Sequence, residues 1–296
     1  MLPLLLVLLL MEYKLSKIPN SYSYKRFCFE KQLDSVQVLI LGSSQALYGL
    51  NPEFFKLKTF NLSDVSQDLF YDKQLTLTYL DKMPELKYVI INISYFSFGY
   101  SIVEGSEAWR MYYYSQYWDI DSPDENIFEL KKYSKFFLYT PGTTLSYLLK
   151  GFNVDLTANL SNDGFFSSGT GNSIPIICDS IGQQRVRLHD NLYSDKRCVE
   201  NQKTLDLLVS VIKNKGAEPI FITPPVLPEY YKYVDQQKVI RNHEMINSIC
   251  KKYACSYYDF FTDSRFSISD FTDTDHLNYA GAEKFSLIVN DLLTSH

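Results

Sequence analysis

Short apolar runs alternate with longer amphipathic segments along most of the chain. The apolar runs are rich in β-branched residues and end in polar or turn-forming residues, which predicts buried strands of a parallel sheet. We expect strands at residues 36–41, 59–62, 87–94, 218–225 and 255–261. Because amphipathic segments separate these runs, the chain is predicted to fold as a parallel sheet with helices on both faces, a three-layer α/β/α sandwich.

Three helices are predicted in the last third of the chain. An amphipathic segment at residues 204–216 ends in Gly216, a residue type that often follows helix C-termini. A longer segment at about residues 229–253 predicts a second helix. The third is expected at residues 279–293, with the side chain of Asn278 capping its first turn.

The alternation is interrupted between about residues 96 and 199, where we expect a large insertion after the third strand. The first part of this stretch is crowded with Tyr, Trp and Phe, and the second part is rich in Gly, Ser and Asn. We expect the insertion to lie over the carboxyl-terminal edge of the sheet. Its aromatic side chains either pack the insertion onto the core or form a platform for sugar rings.

The N-terminus differs from the rest of the chain. Residues 1–11, MLPLLLVLLLM, are uniformly apolar, and polar and basic residues follow. This run is shorter than the roughly 20 residues that span a bilayer as a helix. We expect a membrane anchor or signal-like segment at residues 1–12, a linker at 13–34 and one domain at 35–296; the alternative for the first segment is a buried helix of the fold.

Composition excludes two classes of function. The net charge of the 296 residues is −5, and Lys and Arg form no dense cluster of the kind that contacts phosphates, so nucleic-acid binding is not expected. The five cysteines form no CxxC pair and have no metal-ligand spacing. No metal or nucleotide cofactor is indicated.

Two distant motifs carry candidate chemistry. Two serines follow Gly42 at the end of the first predicted strand, and the second of them, Ser44, begins a helix-like segment. Near the other end of the chain, Asp273 precedes His276 by three residues. A carboxylate at this spacing accepts the imidazole N–H and leaves the other ring nitrogen facing a hydroxyl. Ser44, His276 and Asp273 are therefore a predicted catalytic triad, with Asp275 as a competitor for the carboxylate role.

These two motifs resemble the SGNH (GDSL-like) hydrolase superfamily, and the resemblance covers most of the chain from residue 35. Within that superfamily, the chain looks closest to membrane-anchored bacterial SGNH-like proteins of cell-surface polysaccharide modification. The resemblance implies a flavodoxin-like parallel sheet. It also implies that Ser44 is the nucleophile, His276 the general base and Asp273 its orienting partner, in a domain outside the cytoplasmic membrane.

The superfamily has two further sequence motifs, its second and third blocks, whose residues hold the oxyanion. This chain matches them less closely. Ser66 stands where the second block has a glycine, and this change keeps the backbone N–H, so the N–H groups of Ser44 and Ser66 are the expected oxyanion donors. Phe96 stands near the position of the third block's asparagine, and Asn92 lies four residues earlier, inside a strand. Loss of one oxyanion donor typically slows catalysis by about 100- to 1000-fold.

The sequence thus predicts a serine-dependent ester hydrolase or O-acyltransferase acting on acyl groups, acetyl foremost, of a cell-surface polysaccharide. Water as the second acceptor makes it an esterase, and a sugar hydroxyl makes it a transferase. The alternative is a polysaccharide binding or assembly protein that keeps the fold without the activity. The expected partners are the acylated glycan, the membrane, and a membrane-bound acyltransferase or export protein.

Four residues of the insertion are candidate contacts for an anionic or acylated sugar. They are Arg110, Arg185, Arg187 and His189. The alternative for all four is a solvated surface, because their spacing alone does not direct them to one place.

Overall fold

The sheet lies at the centre of the molecule. The structure is a computed structural model that describes residues 2–168 and 177–294. All strand pairs in these residues are parallel, and the strand order is β2-β1-β3-β4-β5. The strands are β1 (Val38–Leu41), β2 (Thr59–Asn61), β3 (Tyr88–Asn92), β4 (Glu218–Thr223) and β5 (Ser256–Asp259).

Each strand is shorter than the apolar run that predicted it. Val36, Leu62 and Ile93 lie just outside the paired segments and are still buried. Apolar character follows burial, whereas a strand ends where its ladder hydrogen bonds end, so the two boundaries differ.

Helices cover both faces of the sheet. Along β1, Leu39 and Leu41 belong to one core cluster, and Val38 and Ile40 belong to the cluster on the opposite face. This alternation within a single strand confirms the predicted three-layer α/β/α sandwich. The helices are α1 (Leu2–Ser16), α2 (Ser21–Glu30), α3 (Ser44–Gly49), α4 (Leu69–Tyr79), α5 (Met111–Trp118), α6 (Lys135–Leu138), α7 (Pro141–Leu149), α8 (Asp179–Asn191), α9 (Asp195–Asn214), α10 (Pro228–Tyr231), α11 (Gln236–Tyr253) and α12 (Tyr279–Thr294).

Two predicted helices have different bounds in the structure. The segment predicted as one helix at 229–253 is two helices, because the side chain of Asp235 accepts the N–H of Gln237 and caps a new start. The helix predicted to begin at residue 204 begins at Asp195. Its end agrees with the prediction: Gly216 follows the helix with a φ of +86°.

The insertion between β3 and α9 contains α5 to α8. Tyr113, Tyr114 and Trp118 on α5 are buried in the larger core cluster, which supports the packing interpretation for these aromatic residues. Phe128, further along the insertion, is 85% exposed. The predicted glycine-rich part of the insertion includes residues 169–176, which lie outside the described residues.

The interval from 13 to 34, for which we predicted a linker, is mostly helical. Asn20 and Ser23 form a capping box at the start of α2, and Tyr22 and Phe29 on that helix are buried in the core. The sequence did not indicate this helix, because polar and aromatic residues are mixed along it and only packing against α5 distinguishes its buried face.

The side chains from Leu5 to Leu10 on α1 are exposed, so the alternative of a buried helix does not hold for them. Helix α1 contacts α6, where Glu12 accepts the backbone N–H groups of Lys135 and Phe136. Among the described residues, no helix has both the length and the apolar character needed to cross a membrane.

Candidate active site

Ser44 lies at a sharp turn between β1 and α3. Gly42 has a φ of +135°, a conformation that residues with a side chain rarely adopt, and a Cβ at this position would lie 2.7 Å from the Cβ of Asn92. The hydroxyls of Ser43 and Ser94 are 3.2 Å apart across the edge of the sheet. The turn therefore places Ser44 at the carboxyl end of the sheet, as the first residue of α3.

A tight loop before α12 carries the other two triad residues. Oδ1 of Asp273 accepts the N–H groups of Asp275 and His276, at 3.0 and 2.8 Å. The loop closes through a bridge between Phe271 and Leu277. After the loop, Asn278 accepts the N–H of Gly281, as the predicted cap of the last helix.

The structure brings the three predicted triad residues together. Oγ of Ser44 lies 2.8 Å from Nε2 of His276, and Nδ1 of the same ring lies 2.8 Å from Oδ2 of Asp273. With the Nδ1 proton held by the carboxylate, Nε2 is free to accept the proton of the Ser44 hydroxyl. This is the geometry of a nucleophile, a general base and an orienting carboxylate.

Electrostatics support the roles of the base and its partner. Burial alone would raise the pKa of Asp273, but its hydrogen bond with His276 and the charge of that imidazole bring the pKa well below its ordinary value. Burial lowers the pKa of His276, but the negative charges of Asp275 and Asp273 outweigh it, and the net shift is upward. The carboxylate thus stays ionised and stabilises the imidazolium that forms when the base accepts a proton.

Asp275 has a different role from Asp273. Its side chain is fully buried, and Oδ1 lies 4.0 Å from Nδ1 of His276, too far for a hydrogen bond. The same oxygen accepts Nε of Arg185 at 2.9 Å, and Nη2 of Arg185 lies 3.4 Å from Nε2 of His276. Asp275 therefore fixes the guanidinium of Arg185 beside the ring of His276.

The side chains of Asp273, Asp275 and His276 have potential metal-ligand atoms within 4.8 Å of one another. Each carboxylate already has a partner, His276 for the first and Arg185 for the second. The positive charge of Arg185 opposes a cation at this place. The donor set fits a triad with a supporting ion pair better than it fits a metal site.

A cavity of about 300 Å³ opens beside the triad. The triad residues Ser44 and His276 lie in its wall, with residues of α3, the loop after β2, the insertion and α8. The other lining residues are Tyr48, Val65, Ser66, Phe96, Tyr100, Gly105, Ser106, Glu107, Arg185, Leu188, His189 and Leu192. As predicted, the insertion lies over the edge of the sheet where the strands end.

The structure places Ser66 in this wall with a φ of +59°. This left-handed conformation explains why the superfamily has glycine at the corresponding position. Phe96 also lines the cavity and offers no polar donor. Asn92 is buried next to Gly42, and its side-chain amide donates to Ser94, so it does not replace the missing asparagine.

Of the three arginines predicted as substrate contacts, one lines the cavity and two do not. Arg185 lines the cavity with 29% of its side chain exposed. Arg110 is not among the lining residues, but it forms an ion pair with Glu107, which does line the cavity. Arg187 is exposed on α8 and is not among the lining residues either, which agrees with the solvated alternative.

His189 lies in the cavity wall, one helical turn after Arg185. Its Nδ1 lies 2.6 Å from the hydroxyl of Tyr230, and its ring centroid is 4.3 Å from that of Phe96. Burial lowers the pKa of His189 to about 4. The spacing of four residues places Arg185 and His189 on one face of the helix. The sequence could have indicated this pairing only if residues 179–191 had been predicted as a helix, and they were not.

Asp72 on α4 supports the turn at Gly42, and the sequence pattern did not indicate it as a site residue. Its Oδ1 accepts the N–H of Gly42 at 3.0 Å and the side-chain amide of Gln67 at 2.6 Å. Burial raises the pKa of Asp72 to about 7. The signal in the sequence is a charged residue at helical spacing from Leu69 and Leu75, three positions from each, and both leucines are buried on α4.

The parallel sheet, the turn at Ser44 and the loop with Asp273 and His276 form the arrangement that the resemblance to SGNH hydrolases predicts. A family model described as DltD protein matches residues 192–285. The match covers less than half of the chain and includes α9, β4 and the loop with Asp273 and His276, but not Ser44. None of the curated proteins matches the chain in sequence.

Three bacterial structures are among those similar to this chain. A Streptococcus pneumoniae protein described as a candidate platelet activating factor is 14% identical, with 98% of this chain and 96% of that chain covered and a TM-score of 0.44. A candidate acylhydrolase from Bacteroides fragilis is 10% identical, with 92% and 95% covered and a TM-score of 0.43. A GDSL-like lipase from Bacteroides thetaiotaomicron is 11% identical, with 94% and 100% covered and a TM-score of 0.42. These similarities assign no activity to this chain.

Proposed function

We propose that this protein transfers acyl groups through a serine ester, as an ester hydrolase or an O-acyltransferase. The observation that carries the proposal is the hydrogen-bonded series from Ser44 through His276 to Asp273, with 2.8 Å at both contacts. The three residues come from opposite ends of the chain. Hydrogen bonds that direct Nε2 of a histidine to a serine hydroxyl serve to activate that hydroxyl.

In the first step, Oγ of Ser44 attacks the ester carbonyl while Nε2 of His276 takes the hydroxyl proton. The N–H groups of Ser44 and Ser66 receive the negative charge that develops on the carbonyl oxygen. The bond to the leaving alcohol then breaks, and His276 returns the proton to the alcohol oxygen. This step leaves the acyl group on Ser44 and releases one neutral alcohol.

In the second step, an incoming hydroxyl attacks the acyl-serine and gives its proton to His276, which returns the proton to Oγ of Ser44. Water as the incoming group releases a carboxylic acid, and a sugar hydroxyl gives a new ester. We propose an acylated cell-surface glycan as the substrate and acetyl as the acyl group. The hydroxyl of Ser106, the carboxylate of Glu107 and the guanidinium of Arg185 in the cavity wall support a hydroxyl-rich ligand.

We also propose that the protein is held on a bacterial cytoplasmic membrane through α1, with the site on the outer side. The exposed apolar side chains from Leu5 to Leu10 support this proposal. A membrane-bound acyltransferase or an export protein is the proposed partner, since a tethered hydrolase or transferase requires a source of acylated glycan at the same surface.

A fluorophosphonate probe tests the proposal, because it reacts with an activated serine and not with an ordinary hydroxyl. We expect labelling of the full chain at Ser44, no labelling of Ser44→Ala, and wild-type labelling of Ser264→Ala, whose serine is exposed and outside the cavity. Release of acetic acid from an acetyl ester, with and without a sugar alcohol as acceptor, then distinguishes the hydrolase from the transferase.

The second candidate function is a polysaccharide binding or assembly protein without activity. Phe96 at the position of an oxyanion donor is the observation that favours it. A folded wild-type chain that resists the probe would exclude the enzyme and support this second candidate.

A further inference from the structure

His189 has one ring nitrogen without a hydrogen-bond partner among the described residues. The residue is 5% exposed and lines the same cavity as Ser44 and His276. Its Nδ1 is hydrogen-bonded with the hydroxyl of Tyr230 at 2.6 Å, and no partner of Nε2 is found in residues 2–168 and 177–294. A polar atom of a buried side chain in a cavity wall is suited to meet a ligand.

The surroundings of His189 are compatible with a neutral ring that accepts at Nδ1. Burial raises the pKa of Tyr230 well above its ordinary value, so its hydroxyl stays protonated and is able to donate to Nδ1 of His189. Burial also lowers the pKa of His189 to about 4, so the imidazole is neutral near pH 7. A neutral ring that accepts at Nδ1 must carry its proton on Nε2, which makes Nε2–H a donor.

The position of His189 matches the gap left by the missing asparagine. Phe96 stands near the asparagine position, and the ring of His189 packs on the ring of Phe96 with 4.3 Å between centroids. This contact therefore places a hydrogen-bond donor of α8 next to Phe96, whose side chain offers no donor in the loop after β3. A neutral imidazole is able to donate to a developing oxyanion without a competing proton transfer.

Apart from His276, Arg185 is the other residue of the described cavity wall with side-chain N–H donors, and its contacts direct it elsewhere. Its Nε donates to Asp275, and its Nη2 lies 3.4 Å from Nε2 of His276. His276 returns its proton to the leaving alcohol in the proposed reaction, so Arg185 lies on the side of the alcohol. Among the side-chain N–H donors of the described cavity wall, His189 is then the one available for the carbonyl oxygen.

We propose that Nε2–H of His189 donates a hydrogen bond to the carbonyl oxygen of the bound acyl group, as the third donor beside the N–H groups of Ser44 and Ser66. This inference rests on the proposed acyl transfer and adds a catalytic residue to it. No bond to His189 forms or breaks; its hydrogen bond strengthens as the carbonyl oxygen becomes negative. Tyr230 acts on the reaction only through His189, as a positioning residue.

The test compares kcat, KM and the rate of fluorophosphonate labelling in the full-length chain. We expect His189→Leu to lower kcat and the labelling rate by about 100-fold with little change in KM, because an oxyanion donor acts in the transition state. His189→Gln keeps a side-chain N–H donor and should lose less. Tyr230→Phe should lower kcat by about 10-fold and return part of the His189 signal in nitrogen NMR to the Nδ1–H tautomer.

His243→Leu is the matched control, since this histidine pairs with Asp259 and is not among the residues that line the cavity. It should keep wild-type kcat. The double variant His189→Leu/Phe96→Asn supplies an amide donor from the position that the superfamily uses, and we expect it to recover at least about 10-fold of the lost rate. Circular dichroism of each variant verifies that it is folded.

The outcomes separate this inference from the proposed function. A wild-type chain that neither labels nor turns over esters overturns both. A reactive wild type with a folded His189→Leu variant that keeps kcat within about threefold overturns only the role of His189. A loss in His189→Leu that appears in KM alone also overturns it, because it would indicate a contact made equally in the ground state.

Discussion

At the level of single residues, the two carboxylates of one loop, Asp273 and Asp275, bind different partners. Asp273 binds the ring of His276 and two backbone N–H groups of its own loop, whereas Asp275 binds Arg185. The sequence favoured Asp273 as the orienting residue, and the hydrogen-bond geometry agrees with that choice. The charge of Asp275 still matters, because it is the largest contribution that raises the pKa of His276.

The pH dependence of labelling tests this division. His276 is a base only when neutral, and its pKa lies above the ordinary 6.5, so labelling should be slow in acid and rise through a midpoint above pH 6.5. Asp275→Asn removes the largest upward contribution and leaves the positive Arg185 in place. We expect its midpoint to move to lower pH in a series of labelling rates from pH 5 to 9.

Asp263→Asn is the matched control, because this carboxylate pairs with Arg265 and is not among the residues that line the cavity. Its midpoint should equal that of the wild type. A midpoint that stays the same or rises in Asp275→Asn would contradict the assigned role of Asp275.

Among the structural elements, α2 supports the loop that carries Ser66. Lys25 on this helix is buried, donates to the carbonyl oxygen of Ser63 and lies 3.7 Å from Oδ2 of Asp64. Burial lowers the pKa of Lys25, and the charge of Asp64 opposes that shift. The segment predicted as a linker therefore supplies a buried cation to the loop beside the candidate active site.

Lys25→Met should lower the free energy of unfolding by about 3–5 kcal/mol, because it leaves the buried carboxylate of Asp64 without its cation. Urea unfolding followed by circular dichroism measures the change. Lys58→Met is the control, since its ion pair with Asp163 is partly exposed and should contribute about 1 kcal/mol or less. Equal costs for the two variants would refute the proposed support.

For the whole molecule, the edge of the sheet and the N-terminal helix are two separate surfaces to which we assign proposed functions. The insertion covers the edge, and its helix α8 completes the cavity, while α1 contacts α6 and exposes leucines. The proposed attachment to a membrane would use the second surface and leave the first free for substrate.

Flotation with lipid vesicles tests the proposed attachment. We expect the full chain to float with the vesicles and the double variant Leu6→Glu/Leu9→Glu to lose at least about 10-fold in partitioning, since each buried leucine contributes about 1.5–3 kcal/mol. Leu207→Glu changes an exposed leucine on α9 and should float like the wild type. Equal flotation of the double variant and the wild type would exclude α1 as the site of attachment.

The sequence alone determined the layers, the parallel strands and the three triad candidates. Buried parallel strands need apolar residues on both faces, so their positions are visible in a linear pattern. The spacing from Asp273 to His276 is local, and the turn at Gly42 is local, so both motifs are also visible there. The helical nature of residues 21–30 and 179–191 was not visible, because their buried faces depend on distant partners.

Only the tertiary structure decided which insertion residues reach Ser44. Arg185 and Arg187 are two positions apart in sequence, yet one binds Asp275 beside the triad and the other is exposed. His189 meets Phe96 across 93 residues of chain, a contact that no local pattern encodes. Side-chain donors of an oxyanion site act through space, so the proposed role of His189 depends on packing and not on sequence position.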